Sequence, residues 1–462
     1  MPLALRFRRP YLNLHYNSCL RAVLNYAAVK ASGQRRAGAH VGIGSRQKTP
    51  NDQTPRGRNA MSDTRRLPPM SRRALLTGAA GAATLATLPR FATPAIAQAA
   101  PLKVGLMLPY TGTFAKLGQF IDDGFRLRVE QLGGKLGGRE VTFVQVDDES
   151  KPETATDNMN RLVGRDKVDV VIGTVHSGVA MAMVKVARDS GTMLIIPNAG
   201  ANDATGPACA PNIFRTSFSN WQTTFPMGKV MADAGIKNVA TITWKYTAGA
   251  EMVGAFAENF TKNGGKIVED LTLPFPQVEF QALITRIAQL KPDAVFSFFA
   301  GGGAVKFVKD YAAAGLGKSI PLYGAGFLTD GTIEAQGEAA NGIKTTLHYA
   351  DNLDNPANVA FLKAFKAKTQ KDGDIYAVQG FDAASLLDIG LGTVKGDAGA
   401  RDAMIKAMAA AKIDSPRGPL SFNKAHNPIQ NIYLREVRNG RNEMISIAQS
   451  DVDDPARGCR MT

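Results

Sequence analysis

The sequence predicts an α/β protein of two Rossmann-like lobes, each built on a parallel-type sheet flanked by helices and joined by a three-segment hinge. Three observations predict it. At 462 residues the chain exceeds one compact domain, for which roughly 100–200 residues is ordinary. From Leu102 onward, short apolar runs alternate with amphipathic stretches, the pattern of repeated βαβ units. After Phe214-Arg215-Thr216 the series begins again, which marks a second sheet.

The first series reads as strands Lys103–Leu108, Val141–Asp147, Val168–Ile172 and Thr192–Ile196, with helices Phe114–Leu132, Thr154–Gly164 and Val179–Asp189 between them. The second runs helix Asn220–Ala234, strand Asn238–Thr243, helix Ala248–Asn263, strand Lys266–Leu273, helix Phe280–Leu290, strand Ala294–Phe298, helix Gly303–Ala314 and strand Pro321–Tyr323. After Ile343–Tyr349 the text turns helical again (Pro356–Thr369, Tyr376–Val394, Ala400–Ala411) and ends in strand-like Gly418–Phe422 and Asn431–Val437. The late helices are expected to return to the first lobe and the last strands to the second. Lobe one is then 98–218 with 350–415, lobe two 219–349 with 416–445, and 446–462 a tail. A cleft between two such sheets, at the carboxyl ends of their strands, is where α/β folds place ligands.

Residues 1–97 are expected to be leader. Paired Arg72-Arg73, an apolar stretch to Leu88 and a small-x-small site at Ala95-Ile96-Ala97 are the three parts of a secretory signal, and the twin arginines point to the Tat route. The stretch from Ala74 to Leu88 is shorter than the about 20 apolar residues of a membrane span. The basic residues 1–60, ahead of Met61 and Met70, read as a mis-assigned start. This segment also explains the net charge of +15: it holds 16 of the 55 Lys and Arg residues against two acids, Asp52 and Asp63. The remainder is near neutral, so no nucleic-acid partner is expected. Of the three cysteines, Cys19 falls in the leader; export places Cys209 and Cys459 in an oxidising compartment, where they form one bridge or stay unpaired.

Several loops follow strands where a cleft would lie. Tyr110 and Phe114 flank a polar, Gly-containing loop. In Gly173-Thr174-Val175-His176-Ser177-Gly178, Ser177 is either an ordinary N-cap or a ligand contact, since a helix start supplies free N–H groups and a positive dipole end that suit a carboxylate. His176 has no second His or Cys nearby to build a metal site. The small residues of Asn198-Ala199-Gly200 would let backbone approach a ligand. Lobe two offers Trp221, Trp244, Tyr246, Phe299 and Phe327 near strand ends or helix starts; core packing competes with a cleft role for each, most of all for Phe299.

Enzyme chemistry finds no support. The chain has no G-x-S-x-G elbow, no complete G-x-x-x-x-G-K-[S/T] phosphate loop and no Cys or His pairs at metal spacing. Gly301-Gly302-Gly303 lacks the rest of a dinucleotide fingerprint. Neither catalytic residues nor a cofactor or metal is expected.

The segments VGLMLPYTGTFAKLG, DVVIGTVHSGVAMAM, LIIPNAGAN, IFRTSFSN, YGAGFLTDG and YAVQGFDAA resemble the type I periplasmic binding proteins of ABC importers, the leucine/isoleucine/valine-binding class, over essentially all of 102–440. The resemblance implies a monomeric, non-catalytic receptor that closes on a small carboxylate and presents it to a membrane permease. It implies that the carboxylate is held at His176-Ser177 and by Asn198-Ala199-Gly200, and that Cys209 pairs with Cys459. Three departures stand out. Gly200 replaces the Thr of amino-acid binders, the loop Gly324-Ala325-Gly326-Phe327 lacks their Glu, and Ala248 replaces their Tyr. A buried ammonium without a counter-charge is costly, so the chain looks like the branch that binds aromatic carboxylates such as benzoate, hydroxybenzoate or phenylpropenoid acids. A branched-chain amino-acid receptor remains the alternative if an acid such as Glu251 reaches a ligand amine, and a ligand-sensing module for a signalling partner is a further one.

Overall fold

Residues 100–461 are described by a computed structural model; the leader, with Cys19, Arg72-Arg73 and Ala95-Ile96-Ala97, lies outside the described residues. The first strand, β1 (Leu102–Leu108), is apolar on both faces because helices cover both, as parallel strands require. It pairs in parallel with β3 (Arg139–Asp147) and β4 (Val170–Ile172), and β4 continues through β5 (Met193–Ile196) to β6 (Ile213–Arg215). A short β2 (Lys135–Leu136) caps β3 in antiparallel fashion, so the order is β2-β3-β1-β4-β5-β6. Between the strands run α1 (Ala115–Gln131), α2 (Pro152–Asn160) and α3 (Ser177–Ser190).

The chain enters the second lobe at α4 (Asn220–Asp233), fixed by a capping box: Ser219 Oγ accepts from the Gln222 N–H, and Gln222 Oε1 accepts from the Ser219 N–H. There follow β7 (Asn238–Lys245), α5 (Thr247–Lys262), β8 (Lys266–Pro274), α6 (Gln281–Leu290), β9 (Ala294–Phe298), α7 (Gly301–Ala313), β10 (Leu322–Ala325), the single-turn α8 (Ile333–Gln336) and β11 (Lys344–Leu347). Strands β8, β7, β9, β10 and β11 are parallel neighbours.

Helices α9 (Pro356–Thr369) and α10 (Ile375–Thr393) pack on α1 of the first lobe, with α11 (Arg401–Ala409) against α10. The α1–α10 contact is backbone-close: an ideal Cβ at Gly124 would fall 1.9 Å from the Ala377 carbonyl oxygen, and one at Gly380 1.9 Å from that of Ile121. The chain then returns through β12 (Ile413–Ser415), β13 (Gly418–Phe422), β14 (Pro428–Arg438) and β15 (Arg441–Val452), all antiparallel additions beyond β11. Residues 413–415 pair with β13, and Ile413 packs in the core of lobe one with Leu391, Met404 and Met408. The sheet continues to Val452 rather than ending at 445, because β15 pairs only with β14 and exposes Met444, Ile445 and Ile447, so it carries no clean alternation of buried and exposed residues.

Charged side chains buried at the crossings fasten the hinge. Arg417, after β12, pairs with Asp382 of α10 at 2.9 Å, both almost completely buried, and donates to the carbonyls of Thr216 and Ser217 at the first crossing. Arg435 of β14 pairs with Asp330 at 2.6 Å and donates to the Tyr349 carbonyl at the second. Cys209 and Cys459 form a disulfide with Cα atoms 5.6 Å apart.

Candidate functional site

The cavity between the lobes is built where β1, β4 and β5 end on one side and β7, β9 and β10 end on the other. Lobe one supplies Phe114, Leu117, Val175, Ser177, Asn198 and Gly200, the first crossing Phe218 and Asn220, and lobe two Tyr246, Ala248, Met252, Phe298, Ala300 and Phe327; Tyr376 enters from α10. Six of these are aromatic: Phe114, Phe218, Tyr246, Phe298, Phe327 and Tyr376. Phe327 lies 4.7 Å from Phe218 and 6.2 Å from Tyr376 between ring centroids, so the rings form a continuous wall.

The helix start at Ser177 differs in one respect from expectation. His176, not Ser177, is the N-cap of α3: its Nδ1 accepts from the N–H groups of Gly178 at 3.1 Å and Val179 at 3.4 Å. Burial holds its pKa down at about 4, so the ring stays neutral and keeps Nδ1 as an acceptor. Its ring stacks on Tyr246 at 4.8 Å and does not line the cavity. With the cap assigned to His176, Ser177 is the first helical residue, and its hydroxyl and N–H are left at the cavity wall beside the positive end of α3.

The loop after β5 is braced from behind by Arg215. Arg215, fully buried, donates to the carbonyls of Ala199 at 3.1 Å and Ala201 at 2.8 Å and to Thr205 Oγ1 at 2.7 Å. Desolvation lowers its pKa to about 10, and it remains the cation nearest the loop's back. Ala199 is spent on this scaffold, since its N–H donates to the Thr174 carbonyl at 2.9 Å, and it does not line the cavity. Asn198 does, and its Nδ2 donates to Gln379 Oε1 at 2.7 Å, whose amide meets the buried His348 Nε2 at 3.1 Å. At Gly200 an ideal Cβ would lie 2.2 Å from Asn220 Oδ1 and 2.4 Å from the Phe218 ring. The absent side chain makes room for those two residues.

Of the remaining expected residues, Phe114, Tyr246, Ala248 and Phe327 line the cavity and four do not. Trp244 is fully buried in the lobe-two core, its Nε1 donating to the Gln277 carbonyl at 2.8 Å, and Phe299 stands edge-on to it at 5.1 Å between Phe280 and Phe307. Trp221 turns outward from the first turn of α4, stacking on Phe225 at 4.3 Å and donating to Glu258 at 3.3 Å. Tyr110 donates to Asp122 at 3.1 Å, outside the cavity. Eight lining residues escaped sequence reasoning: Leu117, Val175, Phe218, Asn220, Met252, Phe298, Ala300 and Tyr376. For Phe218 and Asn220 a signal existed, because residues of the crossing between β6 and α4 must face the space between lobes.

Electrostatically the cavity has no internal acid. None of its lining side chains is a carboxylate. Glu251 stands behind Asn220, its Oε2 accepting from Asn220 Nδ2 at 2.7 Å and the Asn202 N–H at 3.0 Å. The loop at Gly326 carries no acid either, and a Cβ there would meet Arg435 Nη2 at 2.5 Å rather than the cavity.

The family described as "Periplasmic binding protein" matches residues 101–442. The chain belongs to the periplasmic binding protein family. Among solved structures of this family, the solute-binding protein of an ABC transporter from R. palustris in complex with benzoate is 54% identical, with a TM-score of 0.77, over 78% of this chain and 99% of that one. A Rhodopseudomonas palustris BisB5 solute-binding protein in complex with 3,4-dihydroxybenzoic acid is 33% identical, with a TM-score of 0.73, over 77% and 99%. The Leu/Ile/Val-binding protein homolog 6 of Brucella melitensis is 30% identical over 74% of this chain and 88% of its own length.

Proposed function

We propose that this periplasmic binding protein is the extracytoplasmic receptor of an ABC importer for a small aromatic carboxylate of the benzoate, hydroxybenzoate or phenylpropenoid type, with no catalytic activity. The observation that carries the reading is a cavity walled by six rings, with a helix start at Ser177 and no lining carboxylate. The ring wall takes an aromatic face, and Ser177 with the α3 N-terminus takes an anion. The relatives that bind benzoate and 3,4-dihydroxybenzoic acid support the ligand class. The ligand seats first on lobe one, at Ser177 and the Asn198–Gly200 loop, and lobe two then closes Tyr246, Phe298 and Phe327 over it, creating the surface a permease reads. The protein acts as a monomer, delivered by a Tat-type signal cleaved after Ala97.

A branched-chain amino-acid receptor is the second reading, favoured by the Brucella relative and by Glu251, which lies one amide behind the cavity. A thermal-shift screen with benzoate, 4-hydroxybenzoate, coumarate, leucine and valine separates the two. A true ligand at 100 times its Kd adds about 2.7 kcal/mol of stability. Stabilisation by the aromatic acids alone is the expected result; stabilisation by leucine or valine alone overturns it.

A further inference from the structure

Asn220 is almost fully buried, and the two ends of its amide are unequal. Its Nδ2 donates to Glu251 Oε2 at 2.7 Å and lies 3.4 Å from Ser177 Oγ, whereas its Oδ1 has no hydrogen-bond partner and points at Gly200. An ionised Glu251 fixes this orientation, because a carboxylate only accepts and so draws the amide N–H groups toward itself. The cavity wall at Gly200 is thereby presented with a bare acceptor, while Nδ2 is the end that donates to Ser177 Oγ. A ligand carboxylate arriving there would face that oxygen, with a second carboxylate one amide further back.

We infer that Asn220 and Glu251 form a proton-linked selector at the carboxylate end of the cavity, so that binding an anionic ligand draws one proton onto Glu251. The inference rests on the aromatic-carboxylate reading. The proton comes from solvent and bonds to Glu251 Oε2, which becomes a hydroxyl donor. Asn220 then turns its amide end for end, Oδ1 accepting from that hydroxyl and Nδ2 donating to the ligand carboxylate. No other bond is made or broken, and the buried pair carries one negative charge instead of two.

The groups facing Glu251 are consistent with such a site. Asn220 and the Asn202 N–H donate to it, Arg215 lies on its positive side and Asp203 on its negative side, Tyr246 stands within its field, and Asp454 and Arg457 share the pocket behind it. Burial, the largest influence, raises the Glu251 pKa above its ordinary value, against the lowering effect of its donors and Arg215. A ligand anion adds a like charge and raises it further.

The test is calorimetric titration of the purified protein with benzoate, from about pH 5.5 to about pH 8.5, in buffers of different ionisation enthalpy. Proton uptake approaching one per benzoate is expected in the upper part of this range, with Kd rising toward tenfold per pH unit. Glu251→Gln removes the charge, so its Kd should be flat with pH and at least about tenfold tighter than wild type near pH 8.5. Benzoate binding with no proton uptake and a flat Kd in the wild-type protein overturns the inference while leaving the aromatic-acid reading standing. No benzoate binding at any pH, with leucine binding instead, overturns both.

Discussion

Ser177 and Gly200 divide the work of the lobe-one wall between a donor and a space. A hydrogen bond from a hydroxyl to a charged partner contributes about 1.5–3 kcal/mol, so Ser177→Ala should weaken benzoate binding roughly tenfold or more while leaving the unliganded melting temperature nearly unchanged; an unaltered Kd by calorimetry would remove Ser177 from the site. Gly200 supports a different prediction. Because a Cβ there collides with both Asn220 and Phe218, Gly200→Thr, which restores the residue of amino-acid binders, should cost about 1–3 kcal/mol in urea unfolding and abolish aromatic-acid binding. These two residues were legible in the sequence because a helix start and a small-residue loop have strong local signatures. The tryptophans were not. Strand β7 is buried on both faces over Val239–Trp244, so alternation could not say whether Trp244 faces the cleft or the core, and one position on α4 turned Trp221 outward while Asn220 points in. Tyr376 was hidden for a related reason: nearly every residue of α10 is buried, and a helix covered all round has no face to read.

At the scale of elements, α3 is the piece whose placement most depends on one side chain. His176 must be neutral to accept from Gly178 and Val179, and burial lowers its pKa from 6.5 to about 4. A histidine lowered in the folded state binds its proton more readily when unfolded. Its contribution is therefore intact above about pH 6.5 and is lost as pH falls through 6.5 toward 4. Asn caps as well as His without titrating, so the stability difference between His176→Asn and wild type should shift in favour of the variant by about 2–3 kcal/mol between pH 7 and pH 4, measured by urea melts at each pH. A difference that stays constant with pH would mean that the ring is protonated in the fold and caps through another atom. The cap also shows where sequence reasoning stops: Ser is the favoured N-cap type, and only the backbone turn at His176 decides that the histidine takes the position one residue earlier. The βαβ elements themselves were legible nearly to their ends, since both series have strong periodicity. The failures were β2, β6, α8 and β12, of two to four residues each, and β15, a strand paired on one side that buries no continuous face.

For the whole molecule, the question is what holds two lobes together while allowing them to close. The disulfide answers part of it. Cys209 lies in the lobe-one loop before β6, and Cys459 lies beyond β15 of the second sheet, so the bond ties one lobe to the end of the other across 250 residues of sequence. Chain-entropy arguments assign a loop of this length about 5 kcal/mol, with measured values often lower. The tail between β15 and Cys459 also meets the first crossing, where Ser219 Oγ donates to Asp454 Oδ2, and Ser219 is the residue that caps α4. The tie therefore lies along the hinge rather than across the cleft mouth, and neither cysteine lines the cavity. A double Cys209→Ser, Cys459→Ser variant should lose about 3–5 kcal/mol of unfolding free energy and yet bind benzoate with a Kd within about threefold of wild type, because closure turns about the crossings and does not need to stretch the tie. Denaturant melts and calorimetry on the same preparation check both halves. A stability loss under about 1 kcal/mol would mean that the tail is already held by Asp454 and its neighbours, and a Kd weakened more than about tenfold would mean that the disulfide sets how far the lobes open.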